Sequence, residues 1–151
     1  MPDPLFESHT ARFELPLLFA GQTQKESFIN EGLARIDALL CMAVEDERSA
    51  PPAAPADGQA WLVGSGASGD WSGFSGKIAA RQAGNWLFIT PRDGIKLLNR
   101  ATGQELRFAG TWKSAARPAT PSGGAVIDVE ARSAIAQIIA ALTTAGILAA
   151  S

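Results

Sequence analysis

Three copies of a Gly-x-Trp triplet constrain this chain more than any other feature. They are Gly69-Asp70-Trp71, Gly84-Asn85-Trp86 and Gly110-Thr111-Trp112. Glycine readily adopts the positive φ that tight turns require, and tryptophan is enriched in β-strands. Each triplet therefore indicates a turn that leads directly into a strand, and together they predict a small module of short hairpins.

The predicted β-module occupies residues 59–113. Strands are expected at 60–64, 77–82, 85–90, 95–99, 105–108 and 111–113. The gaps between them are rich in Gly, Pro, Asn and Asp, which favour tight turns. Such closely spaced turns predict an antiparallel sheet or partial barrel of about five to six strands.

Two apolar seams with alternating spacings of four and three residues flank the β-module. The first comprises Ile29, Leu33, Ile36, Leu40 and Ala43, and the second comprises Ala131, Ile135, Ile138, Leu142 and Ala145. This spacing is typical of amphipathic helices. The predicted fold class is therefore α+β, with an N-terminal helix, a small β-sheet and a C-terminal helix.

The first helix is placed in segment 21–48. It is expected to begin near Gln22 or Thr23, with Thr23 and Glu26 forming a capping box, and to run to about Glu45. Two interpretations of its seam stay open, since the helix either packs on its own domain or pairs with copies of itself. The second interpretation assigns oligomerisation to Ile29, Leu33, Ile36 and Leu40.

The remaining segments are predicted from their composition. Residues 1–20 contain three prolines and are expected to form an extended arm, while 49–58 and 114–127 are expected to be linkers. The second helix is placed at 128–148, with Asp128 as its N-cap and Gly146 just beyond its C-terminal end.

Composition excludes several classes of function. The chain has 13 basic and 15 acidic side chains and a net charge of −2, with no basic stripe, which argues against nucleic-acid binding. Its single cysteine, Cys41, and single histidine, His9, provide neither a disulfide framework nor a nitrogen and sulfur metal site.

No apolar run is long enough to cross a membrane. We expect no cofactor, no metal, no membrane insertion, and synthesis in the cytoplasm.

Candidate catalytic groups are few. His9 lies in the arm next to Ser8, without the orienting groups that a catalytic base requires. Asp57, Asp70 and Asp93 could serve as acids in sugar hydrolysis, but each lies beside a glycine, where Asp commonly forms turns. No catalytic residue is predicted, and a polysaccharide- or peptidoglycan-cleaving enzyme stays as the alternative hypothesis.

Aromatic residues provide the candidate ligand-binding positions. Most of the tryptophans are expected in the core of the β-module. Trp71 lies in a loop rich in Gly and Ser, close to Phe74, and has the fewest reasons to be buried. Packing and stacking against a sugar ring both stay open for Trp71, and we take Trp71 and Phe74 as the candidate ligand-binding residues.

Several motifs together resemble a known family. They are Gly21-Gln22-Thr23-Gln24-Lys25-Glu26, Asn30-Glu31, Arg35-Ile36-Asp37-Ala38-Leu39, Pro55-Ala56-Asp57-Gly58 and the Gly-x-Trp turns. Over roughly residues 13–113 the chain resembles uncharacterised proteins encoded in the tail regions of prophages and gene transfer agents. The resemblance implies a virion-associated tail fibre or accessory tail protein, in a setting where homotrimers are usual, and it transfers no catalytic residues.

The resulting functional expectation is a non-enzymatic tail protein that trimerises through its helices. It would be made in the cytoplasm, join a virion or tail particle with other tail proteins, and present the β-module to a receptor such as a cell-surface glycan. A structural spacer without any ligand is a further alternative.

Overall fold

The α+β class is confirmed by a computed structural model, which describes residues 9–15, 17–18, 25–123 and 128–149. The predicted helix start at Gln22 or Thr23, its capping box, and residues 1–8, 16 and 19–20 of the arm lie outside the described residues. The elements, in chain order, are α1 (Lys25–Leu39), β1 (Ala43–Val44), β2 (Glu47–Arg48), β3 (Ala60–Val63), a 3₁₀ turn (Gly69–Trp71), β4 (Ile78–Gln82), β5 (Asn85–Ile89), β6 (Lys96–Asn99), β7 (Gln104–Ala109), β8 (Thr111–Lys113) and α2 (Val129–Thr144).

The strands form two small mixed sheets instead of the single sheet or partial barrel that was expected. One sheet has the order β1-β6-β7-β8 and the other β2-β3-β4-β5. All six predicted strands are present, and the pairs that they form with one another are antiparallel. The expectation for the first Gly-x-Trp triplet is wrong, because Gly69–Trp71 forms a 3₁₀ turn that does not lead directly into a strand. The additional strands β1 and β2 pair in parallel with β6 and β3, so the short segment 43–48 contributes one strand to each sheet.

The predicted C-terminal end of the first helix is wrong. The helix ends at Leu39 and does not continue to Glu45, because Cys41 adopts a left-handed backbone conformation with φ of 43°. The guanidinium of Arg12 donates hydrogen bonds to the carbonyls of Ala38 and Cys41 at 2.9 and 3.0 Å. These bonds satisfy carbonyl groups that a helix end leaves without partners, and the chain then turns into β1.

Both faces of the β2-β3-β4-β5 sheet are covered by apolar side chains. One face contributes Leu62 and Ile78 to the main core, which also contains Val44, Leu97 and Leu106 from the other sheet. The opposite face contributes to a second cluster of Trp61, Val63, Trp71 and Ala79. Neighbouring residues on a strand point to opposite faces, so Trp61 and Leu62 belong to different clusters.

The second helix has the predicted N-cap and C-terminal glycine, but it ends at Thr144, short of the predicted segment 128–148. The Asp128 carboxylate accepts a hydrogen bond from the amide of Ala131 at 2.8 Å, and Gly146 has a φ of 72° beyond the C-terminal end. After the helix, Leu148 is buried and forms a parallel bridge with Ala115. Neither helix in the described ranges has the length and apolarity that crossing a membrane requires.

Adjacent leucines on β6 provide a test of this packing. Leu97 is 2 % exposed in the main core, whereas Leu98 is 42 % exposed on the opposite face. We expect Leu97→Ala to lower the free energy of unfolding by about 2–5 kcal/mol, since it leaves a cavity in a packed core. The matched control Leu98→Ala should cost under about 1 kcal/mol, because it leaves no cavity. Equilibrium urea unfolding measures both, and equal losses would contradict the described orientation of β6.

Candidate functional site

Helix α1 buries a face that carries two polar side chains. Asn30 and Asp37 are each 2 % exposed, and between and beside them lie the buried small residues Ala34 and Ala38. Buried polar side chains require hydrogen-bond partners, and an unpaired buried carboxylate is especially costly. The partners of Asn30 and Asp37 come from the described part of the arm, residues 9–15 and 17–18.

Asp37 accepts three hydrogen bonds from the arm. The hydroxyl of Thr10 and the backbone amide of Phe13 donate to Oδ1, both at 2.7 Å. The backbone amide of Arg12 donates to Oδ2 at 3.0 Å. Hydrogen bonds to a charged acceptor are stronger than neutral ones, so the buried carboxylate fixes the turn at residues 10–13 against the helix.

Asn30, about two helical turns before Asp37 on α1, provides a second attachment point for the arm. Its Oδ1 accepts from the amide of Leu18, and its Nδ2 donates to the carbonyl of Leu18, both at 3.0 Å. The side-chain amide of Asn30 therefore satisfies both the N–H and the C=O of Leu18, as the backbone of a neighbouring β-strand would. Asn30 and Asp37 together attach the arm along the inner face of α1.

The apolar stripe of α1, which comprises Ile29, Leu33, Ile36 and Leu40, lies on the outer side of the helix. Ile29, Ile36 and Leu40 are 45 %, 49 % and 42 % exposed, and Leu33 is partly buried. Phe28 is 80 % exposed beside the stripe. Three of the four stripe residues are therefore only partly covered by the described residues, and both interpretations, packing on its own domain and pairing with other copies, stay open.

Helix α2 also exposes its apolar residues. Ile139 is its only buried side chain in the described ranges, while Val129, Ile135 and Ile138 are exposed. Single exposed apolar residues are normal on protein surfaces, but contiguous apolar patches are typical of interaction sites. The chain thus presents two helices whose apolar residues are in part exposed to solvent.

Trp71 is not an exposed ring. It is fully buried, and its ring centroid lies 6.3 Å from that of Trp61 and 5.1 Å from that of Trp86. A sugar ring cannot stack on an indole that has no accessible surface, so of the two roles left open for Trp71 the structure shows packing. Its Nε1 is the one buried side-chain polar atom without a hydrogen-bond partner among the described residues.

Phe74, the other candidate ligand-binding residue, is partly buried. It stacks on Phe88 with ring centroids 3.7 Å apart and an angle of 2° between the ring planes. The ammonium of Lys77 lies 5.0 Å from the Phe74 centroid. Phe74 therefore packs at the edge of the second cluster, on Phe88. It does not form a cleft with Trp71.

The candidate carboxylates contribute to turns. Asp57 Oδ1 accepts a hydrogen bond from the amide of Gly84 at 3.0 Å, and Asp93 Oδ1 accepts one from the amide of Gly110 at 2.8 Å. Gly84 and Gly110 begin two of the Gly-x-Trp triplets. Each carboxylate therefore fixes a turn that is distant in the sequence, a role that the local pattern of Asp beside Gly does not reveal.

The sequence-predicted site residues do not meet in one catalytic arrangement. His9 is exposed, and its Nδ1 lies 3.3 Å from the carbonyl of the adjacent Thr10. In the part of the chain that the structure describes, no group of three His, Cys, Asp or Glu side chains is placed to hold a metal ion. Sequence reasoning missed the arm contacts of Asn30 and Asp37. Their signal in the sequence is two polar residues about two helical turns apart, on a helix face next to the apolar stripe.

Replacing Asp37 tests the attachment of the arm. We expect Asp37→Ala to lower the free energy of unfolding by about 3 kcal/mol, because three donors lose a charged acceptor. Hydrogen exchange at the amides of Arg12 and Phe13 should accelerate. Asp70→Ala is the matched control, since Asp70 is exposed and its side chain forms no hydrogen bond among the described residues. Unchanged exchange at both amides in Asp37→Ala would contradict this role.

Comparison with known proteins places most of the described fold in one family. No curated protein matches the chain. Residues 29–113, from the first residue of the apolar stripe to the last residue of β8, match a family described as "Protein of unknown function (DUF2793)". The match includes Asn30, Asp37 and both sheets, and it spans more than half of the chain. The chain belongs to this family.

Proposed function

We propose that this protein is a non-enzymatic component of a phage or gene-transfer-agent tail, either a fibre or an accessory protein. In this proposal, copies of the chain associate through their helices and present the β-module for attachment. Two arguments support it: the sequence resemblance to proteins of prophage and gene-transfer-agent tail regions, and the surface of α1. The surface of α1 supports the association of copies, and the resemblance supports the tail setting.

The observation that carries the proposal is the orientation of α1. A helix in a monomer normally turns its apolar side towards the core, yet α1 turns Asn30 and Asp37 inward and the apolar stripe outward. Fully burying one large aliphatic side chain contributes about 1.5–3 kcal/mol. Ile29, Ile36 and Leu40 are each a little under half exposed, so association would gain part of this free energy from each of them.

The residue types in the stripe favour more than two strands. The spacing assigns Leu33 and Leu40 to a positions of a heptad, and Ile29 and Ile36 to d positions. Leucine at a with isoleucine at d shifts the preference of coiled coils from dimers to trimers or tetramers. A parallel trimer of α1 agrees with this preference and with the homotrimers that are usual among tail proteins.

A second copy of the chain is a better partner for the stripe than an unrelated protein. Every copy carries the same seam, and a heptad seam is complementary to itself in a symmetric bundle. The 15 residues of α1 are few for a free-standing coiled coil, but each helix is already held by the arm and the sheet. The exposed apolar residues of α2 add further surface that association can bury.

The roles of the carboxylates support the non-enzymatic interpretation. Asp57 and Asp93 accept hydrogen bonds from Gly84 and Gly110 and so have a structural role in turns. In the hypothesis of a polysaccharide-cleaving enzyme they would be acids. The proposed role of the β-module is attachment, with other tail proteins as partners and a cell-surface glycan as the candidate receptor.

Solution mass tests the proposed assembly. We expect the chain to scatter light as a trimer, with three times the chain mass of 15.8 kDa. Ile36→Asp and Leu33→Asp should each produce a monomer, because a charge in the bundle core would be buried without a partner. Multi-angle light scattering after size exclusion measures all three masses.

Ser27→Asp is the matched control for this experiment. Ser27 is exposed on α1 outside the stripe, so the variant adds the same charge to the same helix and should stay trimeric. Circular dichroism establishes that each variant is folded. A monomeric wild-type chain, or folded Asp variants that keep the trimer mass, would refute association through the stripe.

A further inference from the structure

We infer that the exposed face of the β6-β7-β8 sheet holds a binding groove for an acidic polysaccharide. The inference rests on the proposed function, because it assigns the ligand class and the site through which the β-module attaches. It depends on three cationic side chains that strand register brings together. These residues are far apart in the sequence, so no local motif marks them.

The register places Lys96, Arg107 and Lys113 in one row across three strands. Lys96 is directly opposite Arg107, and Arg107 is directly opposite Lys113. All three are exposed, while Leu97, Leu106 and Trp112 from the same strands face the main core. Adjacent strands lie about 4.8 Å apart, so the row extends over about 10 Å.

Only one of these cations has a local counterion. Lys96 forms an ion pair with Glu105 at 2.9 Å, whereas Arg107 and Lys113 form no ion pair with any described residue. Like charges directly opposite each other destabilise a sheet. The chain as a whole has a net charge of −2, yet this surface combines three cations with one carboxylate. A bound anion would relieve the repulsion between Arg107 and Lys113.

The row of cations lines a groove, and hydrogen bonds hold one wall of this groove in place. The groove has a volume of about 320 Å³, and beyond the charged side chains it is lined by Ser114, Ala115 and Ile147. The buried side chain of Gln104 fixes this wall, because its Nε2 donates to the carbonyls of Ala115 and Ile147 at 2.6 and 2.9 Å. The cations therefore line a concave surface that the fold holds in place.

The arrangement fits a polymer of acidic sugars. Arginine binds a carboxylate through two parallel hydrogen bonds, and lysine adds a positive charge on either side. A row of this length can contact more than one carboxylate, which favours a chain of acidic sugars over a single small anion. Nucleic acid fits less well, because the groove has no aromatic side chain for base stacking and the protein is acidic overall.

The proposed trimer would strengthen this binding. A single exposed groove that binds through charge is expected to have modest affinity, and salt screens such contacts. Three grooves on one particle can bind the same polymer, and each further contact is then intramolecular. The repeated structure of a polysaccharide matches repeated sites on a homotrimer.

The test uses polygalacturonate, which has a carboxylate on every sugar, and dextran as a neutral polymer. We expect the full chain to bind immobilised polygalacturonate, with affinity that falls as salt increases, and not to bind dextran. Arg107→Ser with Lys113→Ser should weaken this binding by at least about tenfold, because charge-assisted hydrogen bonds are lost. The thermal midpoint of the double variant should equal or exceed that of the wild type, since it removes opposed like charges.

Arg48→Ser with Arg92→Ser is the matched control. It removes the same two charges from exposed positions on β2 and in the turn before β6, where neither side chain forms an ion pair with a described residue. This control should retain wild-type affinity. Equal weakening in both double variants, equal binding to dextran, tighter binding to duplex DNA, or no binding to polygalacturonate would overturn the inference.

Solution mass separates this inference from the proposed assembly. A trimer that does not bind polygalacturonate would overturn the groove and leave the assembly intact. A monomer that binds polygalacturonate through Arg107 and Lys113 would overturn the assembly and support the groove.

Discussion

The buried carboxylate of Asp37 determines which side of α1 faces the rest of the chain. A charged group at 2 % exposure is tolerated only with several donors, and the arm supplies them from Thr10, Arg12 and Phe13. The side of α1 that carries Asp37 must therefore face the arm and the sheet. The apolar stripe lies on a neighbouring flank of the helix, and this orientation leaves Ile29, Ile36 and Leu40 partly exposed.

The sequence predicted the strands that local chemistry defines and missed those that depend on distant pairing. The strands β3 to β8 alternate with turns whose Gly and Asp residues are visible in the sequence. By contrast, β1 and β2 have two residues each, which is too short for any periodicity, and both pair in parallel with distant strands. Ala43 of β1 continued the helical spacing of Leu40, so the helix was extended too far.

The same limit explains the candidate site residues. Spacing placed the apolar stripe correctly but could not decide between a core and an exposed surface, because an amphipathic helix can fulfil either role. The sequence prediction for Trp71 used the composition of its Gly- and Ser-rich loop, whereas Trp71 is buried because it packs on β3. The uninterrupted apolar run of Trp61, Leu62 and Val63 indicates a strand covered on both faces. The loop that carries Trp71 covers the second face.

Three constraints divide the surface of this protein between different tasks. Polar contacts to the arm orient α1, both faces of the β2-β3-β4-β5 sheet are needed for packing, and the turns use Asp57 and Asp93. The outer face of the β6-β7-β8 sheet carries none of these contacts. Its unpaired cations therefore disturb none of them, and their cost to folding is the repulsion between Arg107 and Lys113. In the proposed assembly the α1 stripe and the cations of the β6-β7-β8 sheet are different residues, so assembly and attachment would use separate surfaces of one small chain.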